Sequence, residues 1–485
     1  MNASQSCWLT RLVFQRGLGL VYLIAFVVAV NQFKALAGER GLLPAPLFLK
    51  AVSFRQSPTV FFLFPNDVAF AVAAWLGVLL SIVALTGISE RHGTWFSMLI
   101  WAMLWMLYLS FVNAGQTFYA FGWESILLET GFFAMFLGAR NTVAPWIMIF
   151  ILRWVLFRVM FGAGLIKLRG DPCWWDLTCL VYHYETQPMP NPLSWYFHWA
   201  PEWTHKAGVL VNHFVEVIVP FGYFIPWRVS TIAGLVTIVF QLLLMLSGNL
   251  SWLNLLTIVI ALTALDEQFL SRLIRVQPPG TRALHRIHQR AIVGVAVAVA
   301  ILSISPVLNM VSPHQVMNFN YNPLHLVNTY GAFGGITRPR YEVVVEGTSE
   351  AVLIPSTKWR EYAFKGKPGD LSARPPQIAP YHLRLDWLMW FAALSSYDRE
   401  PWFVNFVAKL LQGDRATLAL IKTNPFPDKP PQYVRALLYE YHFTTPKERS
   451  ESGHWWTRQL AGTYFAPVSL QDRAFHDLLE QQGWL

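Results

Sequence analysis

Long apolar runs separated by short polar breaks fill the first 310 residues, and no comparable run follows. A membrane-crossing helix needs roughly 20 mainly apolar residues. Windows of that kind predict about nine helices, near 11–31, 66–88, 94–113, 123–139, 143–165, 207–226, 229–248, 250–266 and 291–310. The fourth and eighth windows are short. After Met310 the pattern changes: Gly, Pro and charges become common and no window could span. YEVVVEG (341–347), WREYAFKG (359–366) and YVRALLYEYHF (433–443) read as strands. In PWFVNFVAKLLQGD (401–414), Trp402, Phe403, Phe406, Leu410 and Leu411 share one helical face, and Gly413 supplies the stop. The expected fold is a polytopic α-helical membrane bundle over 1–310 followed by an extracytoplasmic α+β domain over 311–485. The last 40 residues show no clear pattern, and there is no internal repeat.

Composition sharpens this picture. Of 485 residues, 13% are charged and 54% hydrophobic, whereas soluble domains carry about a quarter charged residues. The net charge of +9 fits cytoplasmic loops facing anionic lipid. No basic run is interleaved with aromatics, so nucleic acid is not an expected partner. The apolar run from Leu12 to Val30 is too long for a signal peptide and lacks a clear cleavage site, so a retained helix is expected.

Lys and Arg in short loops set the orientation. The loop 267–290 holds Arg272, Arg275, Arg282, Arg286 and Arg290, which places it in the cytoplasm. Arg228, Arg140, Arg91 and Arg11 then fall on the same side. The N-terminus is inside, while the loops 32–65 and 166–206 and everything after 310 lie outside.

Ionisable residues at bilayer depth are costly and face a partner or a wet cavity. Here they are Arg16, Glu124, Glu129, Arg153, Arg158, Lys167, His213 and Glu216. The topology puts Glu129 and Arg158 at one depth as a buried pair, with Glu124 and Lys167 a level higher. His213 and Glu216, at i and i+3, fall on one face at that outer level. Two readings stay open: a polar layer that fixes helix register, or a polar pocket open to the outer side. In the second, a partly desolvated Lys167 would act as a base, assisted by His213 and Glu216; its bland counterpart is a lysine snorkelling to the interface.

Cys7 is an inner thiol. Cys173 and Cys179 fall outside, where disulfides persist, and their spacing suits a small closed loop, not a CxxC redox motif. His183, His198, His205 and His213 with Glu185, Glu202 and Glu216 follow no zinc spacing, so no metal is expected. No Gly-rich phosphate loop, GxSxG elbow or kinase signature occurs, and no cofactor is expected. The tryptophans and tyrosines of 174–203 suit a membrane interface.

Several long stretches carry a resemblance. RWVLFRVMFGAGLIKLRGDPCWWDLTCLVYHYETQPMPNPLSWYFH (153–198), FGWESILLETGFFAMFL (121–137) and NHFVEVIVPF (212–221) resemble the lipase maturation factor family. So do NTYGAFGGITRPRYEVVVEGT (328–348), WREYAFKGKPGD (359–370), APYHLRLDWLMWFAAL (379–394) and NPFPDKPPQYVRALLYEYHFT (424–444). The resemblance implies a multi-pass protein that helps secreted lipases reach their active, assembled state. It implies the endoplasmic reticulum membrane in a eukaryote and the cytoplasmic membrane in a bacterium, with the C-terminal domain on the outer side. Cys173 and Cys179 stand where the family's loop cysteines stand. The short loops and the lack of a retrieval tail suit a bacterial relative. FGAGLIKLRGDPCWW also resembles a segment of vitamin K-dependent γ-carboxylases, which implies that Lys167 would match a lysine acting as base on a quinol.

The leading expectation is a non-enzymatic maturation factor whose partners are the bilayer and secreted clients. The loop 170–192 and the C-terminal domain would form the client surface, with His382, Arg384 and Asp386 of YHLRLDW as candidate contacts. For those three, a helix start with Asp–Arg pairing is the plainer reading. The alternative is a membrane enzyme acting on an isoprenoid quinone or lipid.

Overall fold

The structure, a computed structural model, describes residues 7–226, 228–276, 279–280 and 282–484. The bundle opens with α1 (Trp8–Ala37), α2 (Asp67–Thr86), α3 (Thr94–Ala114), α4 (Gly122–Ala134) and α5 (Trp146–Arg169). After the cysteine loop come α6 (Cys179–Thr186), α7 (Glu202–His213), α8 (Arg228–Ser247), α9 (Leu253–Ala261), α10 (Arg286–Leu302) and α11 (Ile304–Val311).

α1 and α2 pack closely because small residues let their backbones meet. A Cβ on Gly19 would lie 2.9 Å from the Leu85 nitrogen, and one on Gly77 would lie 2.2 Å from the Phe26 ring. Asn66 caps α2 by accepting from the Ala69 N–H at 2.9 Å, and Gly87, at φ 79°, ends it in the left-handed conformation.

Among the described residues, seven helices are long and apolar enough to cross a membrane, or eight if one bent pair counts as a span. The expected nine are therefore too many, and the two short windows are the reason. α4 continues only through a 3-10 turn, Met135–Leu137. That gives roughly 25 Å at helical rise, short of the ~30 Å hydrocarbon core. α9 continues through Leu262–Ala264 and then turns by 115° into the short helix Glu267–Leu273. Asp266 imposes the turn by capping that helix, accepting from Phe269 N–H at 2.7 Å. The expected span 207–226 is among the seven, as Glu202–Phe224, but changes helix type along its length: α7 runs into a π turn (Phe214–Ile218) and then a 3-10 turn (Val219–Phe224). Pro220 has no N–H to continue an α-helical ladder.

The C-terminal part holds a four-stranded antiparallel sheet in the order β2-β1-β3-β4. Its strands are β1 (Arg340–Thr348), β2 (Arg360–Glu361), β3 (Tyr433–Phe443) and β4 (Trp456–Val468). β2 is far shorter than the expected 359–366, and β4 was not expected. The longer helices that accompany the sheet are α12 (Arg384–Ala393), α13 (Pro401–Gln412) and α14 (Arg473–Gln481). α13 ends at Gly413, at φ 66°, and buries Trp402, Phe403 and Phe406 completely. Asn405 of α13 donates to the carbonyl of Leu42, just beyond α1, at 2.9 Å.

The chain leaving α11 folds back across the bundle instead of departing from it. Gln315 donates to the Gly162 carbonyl at 3.0 Å, Arg158 to the Asn328 carbonyl at 2.7 Å, and Trp174 to the Phe333 carbonyl at 2.9 Å. Gly162 is required here, since a Cβ would sit 2.4 Å from the Tyr330 carbonyl oxygen.

Candidate functional site

Three buried ion pairs occupy the half of the bundle beneath the cysteine loop. The first joins Glu129 of α4 to Arg158 of α5, both almost wholly buried. Arg158 reaches both carboxylate oxygens, Nη1 to Oε2 at 3.2 Å. Glu129 also accepts from the Tyr330 hydroxyl at 2.6 Å and from the backbone N–H of Asn328 at 3.3 Å. A buried charge is stable only when paired and hydrogen-bonded, and the crossing segment supplies the bonds that the helices lack.

The second pair joins Glu124 of α4 to Arg384 of α12 at 2.7 Å. Tyr108 donates its hydroxyl to Glu124. Arg384 also donates to the Phe118 carbonyl at 2.6 Å and lies 3.5 Å over the Tyr119 ring. This corrects one expectation. His382, Arg384 and Asp386 are at most 1% exposed and cannot meet a client. His382 packs against Phe121, Trp123, Trp252 and Trp387, where burial, reinforced by the Arg384 charge, drives its pKa well below the ordinary value. Asp386 accepts from the N–H groups of Gly366 and Lys367 at 2.5 and 3.1 Å. Nor does it pair with Arg384, which is taken by Glu124.

The third pair joins Lys167, in the last turn of α5, to Glu216 in the π turn after α7. The ammonium donates to both carboxylate oxygens, at 2.6 and 2.7 Å, and to Asn212 Oδ1 at 3.0 Å. Asn212 Nδ2 returns a bond to Glu216 at 3.0 Å, and the ammonium lies 5.0 Å from the Trp174 ring centre. His213 does not share this face with Glu216 as expected. Its Nε2 contacts the Trp174 carbonyl at 3.0 Å. The π turn resets the helical angle, so that Asn212 takes the partner's place.

The other intramembrane cations have structural partners. Arg153 donates to the carbonyls of Thr263 and Tyr223, at 2.8 and 3.0 Å, where two 3-10 turns end. Arg16 pairs with the buried Glu90. The loop histidines and acids disperse among unrelated partners: His205 contacts the Phe197 carbonyl at 2.9 Å, Glu202 pairs with Lys206 at 2.8 Å, and His198 lies 3.8 Å from Glu185.

Cys173 and Cys179 are joined in a disulfide. Asp171 accepts from the Cys173 N–H at 2.9 Å and pairs with Arg338. The Arg338 hydrogen bonds hold its carboxyl down to about 2. The stretch that follows is held by the sheet. Glu185 accepts from the Phe443 N–H at 2.6 Å and from His442, whose pKa this contact raises. Arg340 donates to the carbonyls of Glu185 and Pro188 at 2.8 and 3.1 Å, within a buried cluster with Glu342 and Lys367. The expected client loop 170–192 is thus largely enclosed, with residues 185–191 buried between bundle and sheet. Reducing the loop's conformational freedom is the disulfide's main contribution, and for a bridge of sequence separation 6 the loop-entropy estimate is about 2 kcal/mol. Cys173→Ser is expected to lower the melting temperature and expose the loop to protease. An unchanged melt and an unchanged digestion pattern would show that the neighbouring contacts suffice.

The residues missed in the sequence are Asn212, Gln241, Asn254 and the Arg340–Glu342–Lys367 cluster. Asn254 donates to Gln241 at 2.7 Å inside the bundle. The signal in the sequence is an amide at membrane depth, which carries no charge to mark it.

The sequence is similar to known proteins over most of its length. A lipase maturation factor transmembrane domain matches residues 9–272, and a lipase maturation factor C-terminal domain matches residues 326–466. Lipase maturation factor 1 of Mus musculus is 43% identical over 96% of this chain and 88% of its own length. The Homo sapiens protein of the same name is 43% identical over 98% and 90%. Lipase maturation factor 2 of Xenopus laevis is 31% identical over 98% and 84%. No solved structure matches. The matched stretches include α4, α5, the cysteine loop and nearly all of the sheet, and on that ground the chain belongs to the lipase maturation factor family.

Proposed function

We propose that this protein is a membrane-held maturation factor that helps secreted lipases reach their active, assembled state. The observation that carries this reading is similarity to lipase maturation factors over nearly the whole chain, membrane part and C-terminal part alike. In this reading residues 1–310 anchor the molecule and 311–485 form a domain outside the membrane, with the membrane being the endoplasmic reticulum or, in a bacterium, the cytoplasmic membrane. The cationic loops support that orientation by converging on one end. Trp8 donates to the Arg140 carbonyl at 2.7 Å, the Arg140 N–H to the Glu90 carbonyl at 3.0 Å, and the Arg282 N–H to the Asn141 carbonyl at 2.8 Å.

With His382, Arg384 and Asp386 buried, a different surface fits client contact. The loop between β1 and β2 exposes Val352, Leu353 and Ile354, the first at 70% and the last at 54%. An apolar tip on a domain outside the membrane suits transient contact with incompletely folded protein.

Lys167 reads as structural, because a base needs a free amine and this one donates to Glu216 and Asn212. The test is the activity of exported lipase per unit lipase mass. It should fall on deletion of the gene and with Val352→Asp/Ile354→Asp, and persist in the charge-free Lys167→Met/Glu216→Gln variant. Lipase unaffected by deletion would overturn the proposal, and loss of activity in a folded Lys167→Met/Glu216→Gln protein would return Lys167 to a chemical role.

A further inference from the structure

A cavity of about 460 Å³ lies between α5, α7, α8 and α9, beneath α6. Its size falls within the roughly 300–1,000 Å³ typical of small-molecule pockets. Most of its wall is apolar, from Val159, Phe240, Leu244 and Phe333 among others, and three features of the remainder define a ligand.

The first is access. Val211 of α7 and Leu243 of α8 both line the cavity, both are 48% exposed, and both lie in membrane-crossing helices. With these helices crossing the bilayer, the two exposed side chains put this edge of the cavity against acyl chains, where the ligand to hand is a lipid.

The second is charge. The ionic wall is self-neutralised, because Lys167 is already bound by Glu216 and Asn212. His183, which also lines the cavity, is held at about 4 by burial and by the Lys167 charge, so it is neutral. An anionic or cationic head group would find no free counter-charge on these groups and would lose its hydration.

The third is unused hydrogen-bonding capacity. Asn254 is 1% exposed and donates to Gln241, yet its Oδ1 has no protein partner. Trp387 is 4% exposed, and its Nε1–H has none either. Buried polar groups are normally paired. Both residues line the cavity, one bringing an acceptor and the other a donor, which is the pairing that a hydroxyl-bearing head group matches.

We propose that the cavity binds a neutral, hydroxyl-headed, single-chain amphiphile taken laterally from the bilayer. The head meets Asn254, Trp387 and the Lys167–Glu216 wall, and the chain lies toward Val211 and Leu243. A monoacylglycerol and a long-chain isoprenoid alcohol share this chemistry. The site does not depend on how clients are handled.

The test uses the full-length protein in phosphatidylcholine nanodiscs with a diazirine-bearing monoacylglycerol, followed by peptide mapping. Labelling of α7, α8 and α9 is expected to saturate and to be competed by unlabelled monoacylglycerol or isoprenoid alcohol, the stronger competitor identifying the source. The fatty acid of equal length should compete poorly. Val211→Trp/Leu243→Trp, at lipid-exposed positions that leave the core intact, should reduce labelling about tenfold, equivalent to about 1.4 kcal/mol. Asn254→Leu, with an unchanged melting temperature, should do the same. Equal labelling in the portal variant, equal competition by the fatty acid, or labelling that never saturates would overturn the proposal.

Discussion

Arg384→Met is expected to destabilise the whole molecule by about 3–5 kcal/mol, the range for removing one partner of a buried ion pair. The loss is large because Arg384 has no exposure and serves several groups at once. It pairs with Glu124, binds the Phe118 carbonyl and covers the Tyr119 ring. Without it, Glu124 keeps only the Tyr108 hydroxyl among the contacts described above. Because Arg384 begins α12 and Glu124 begins α4, the damage falls on the join between the C-terminal part and the bundle. Limited proteolysis should therefore release α12 and the sheet before the bundle is cut. Adding Glu124→Leu removes the stranded charge and should recover a large part of the loss. A double variant no better than Arg384→Met would show that the aromatic stacking, and not the ion pair, carries the stability.

Glu129→Leu is expected to have an effect of similar size, also about 3–5 kcal/mol, with a different signature. Glu129 accepts from Arg158, Tyr330 and Asn328. Its loss leaves the Arg158 guanidinium unpaired and frees the segment that crosses from α11 to β1. Hydrogen exchange at Asn328–Tyr330 should rise early, ahead of any change in the β3–β4 ladder. Glu129→Leu/Arg158→Met should show a favourable coupling energy in a double-mutant cycle. Exchange that rises uniformly over the molecule would mean that the crossing segment is held by something else.

How far the fold was legible follows from which contacts are local. The apolar runs predict the long helices well, because hydropathy over 20 residues is a property of one segment. Glu129 and Arg158 were also legible, since they sit on adjacent helices joined by a short loop and depth alone aligns them. Arg384 was not: 266 residues separate it from Phe118, whose carbonyl it binds, and a surface helix start and a buried staple look alike in YHLRLDW. The i, i+3 reading of His213 and Glu216 assumed an unbroken α-helix, which the π turn violates. β4 escaped because its residues are mostly exposed and Gly462 and Pro467 interrupt any alternation.

The crossing of ion pairs between distant parts of the chain also has a consequence for biosynthesis. α4 is too short to span comfortably and carries two acids, and it is made long before the arginine that neutralises Glu124 exists. Arg158 follows soon, but Arg384 is translated only after every membrane segment and β1 have emerged. Until then Glu124 has the Tyr108 hydroxyl but not its arginine. A chain that stops before Arg384 lacks the cation that Glu124 pairs with, so the last part to be made completes a contact begun in the fourth helix.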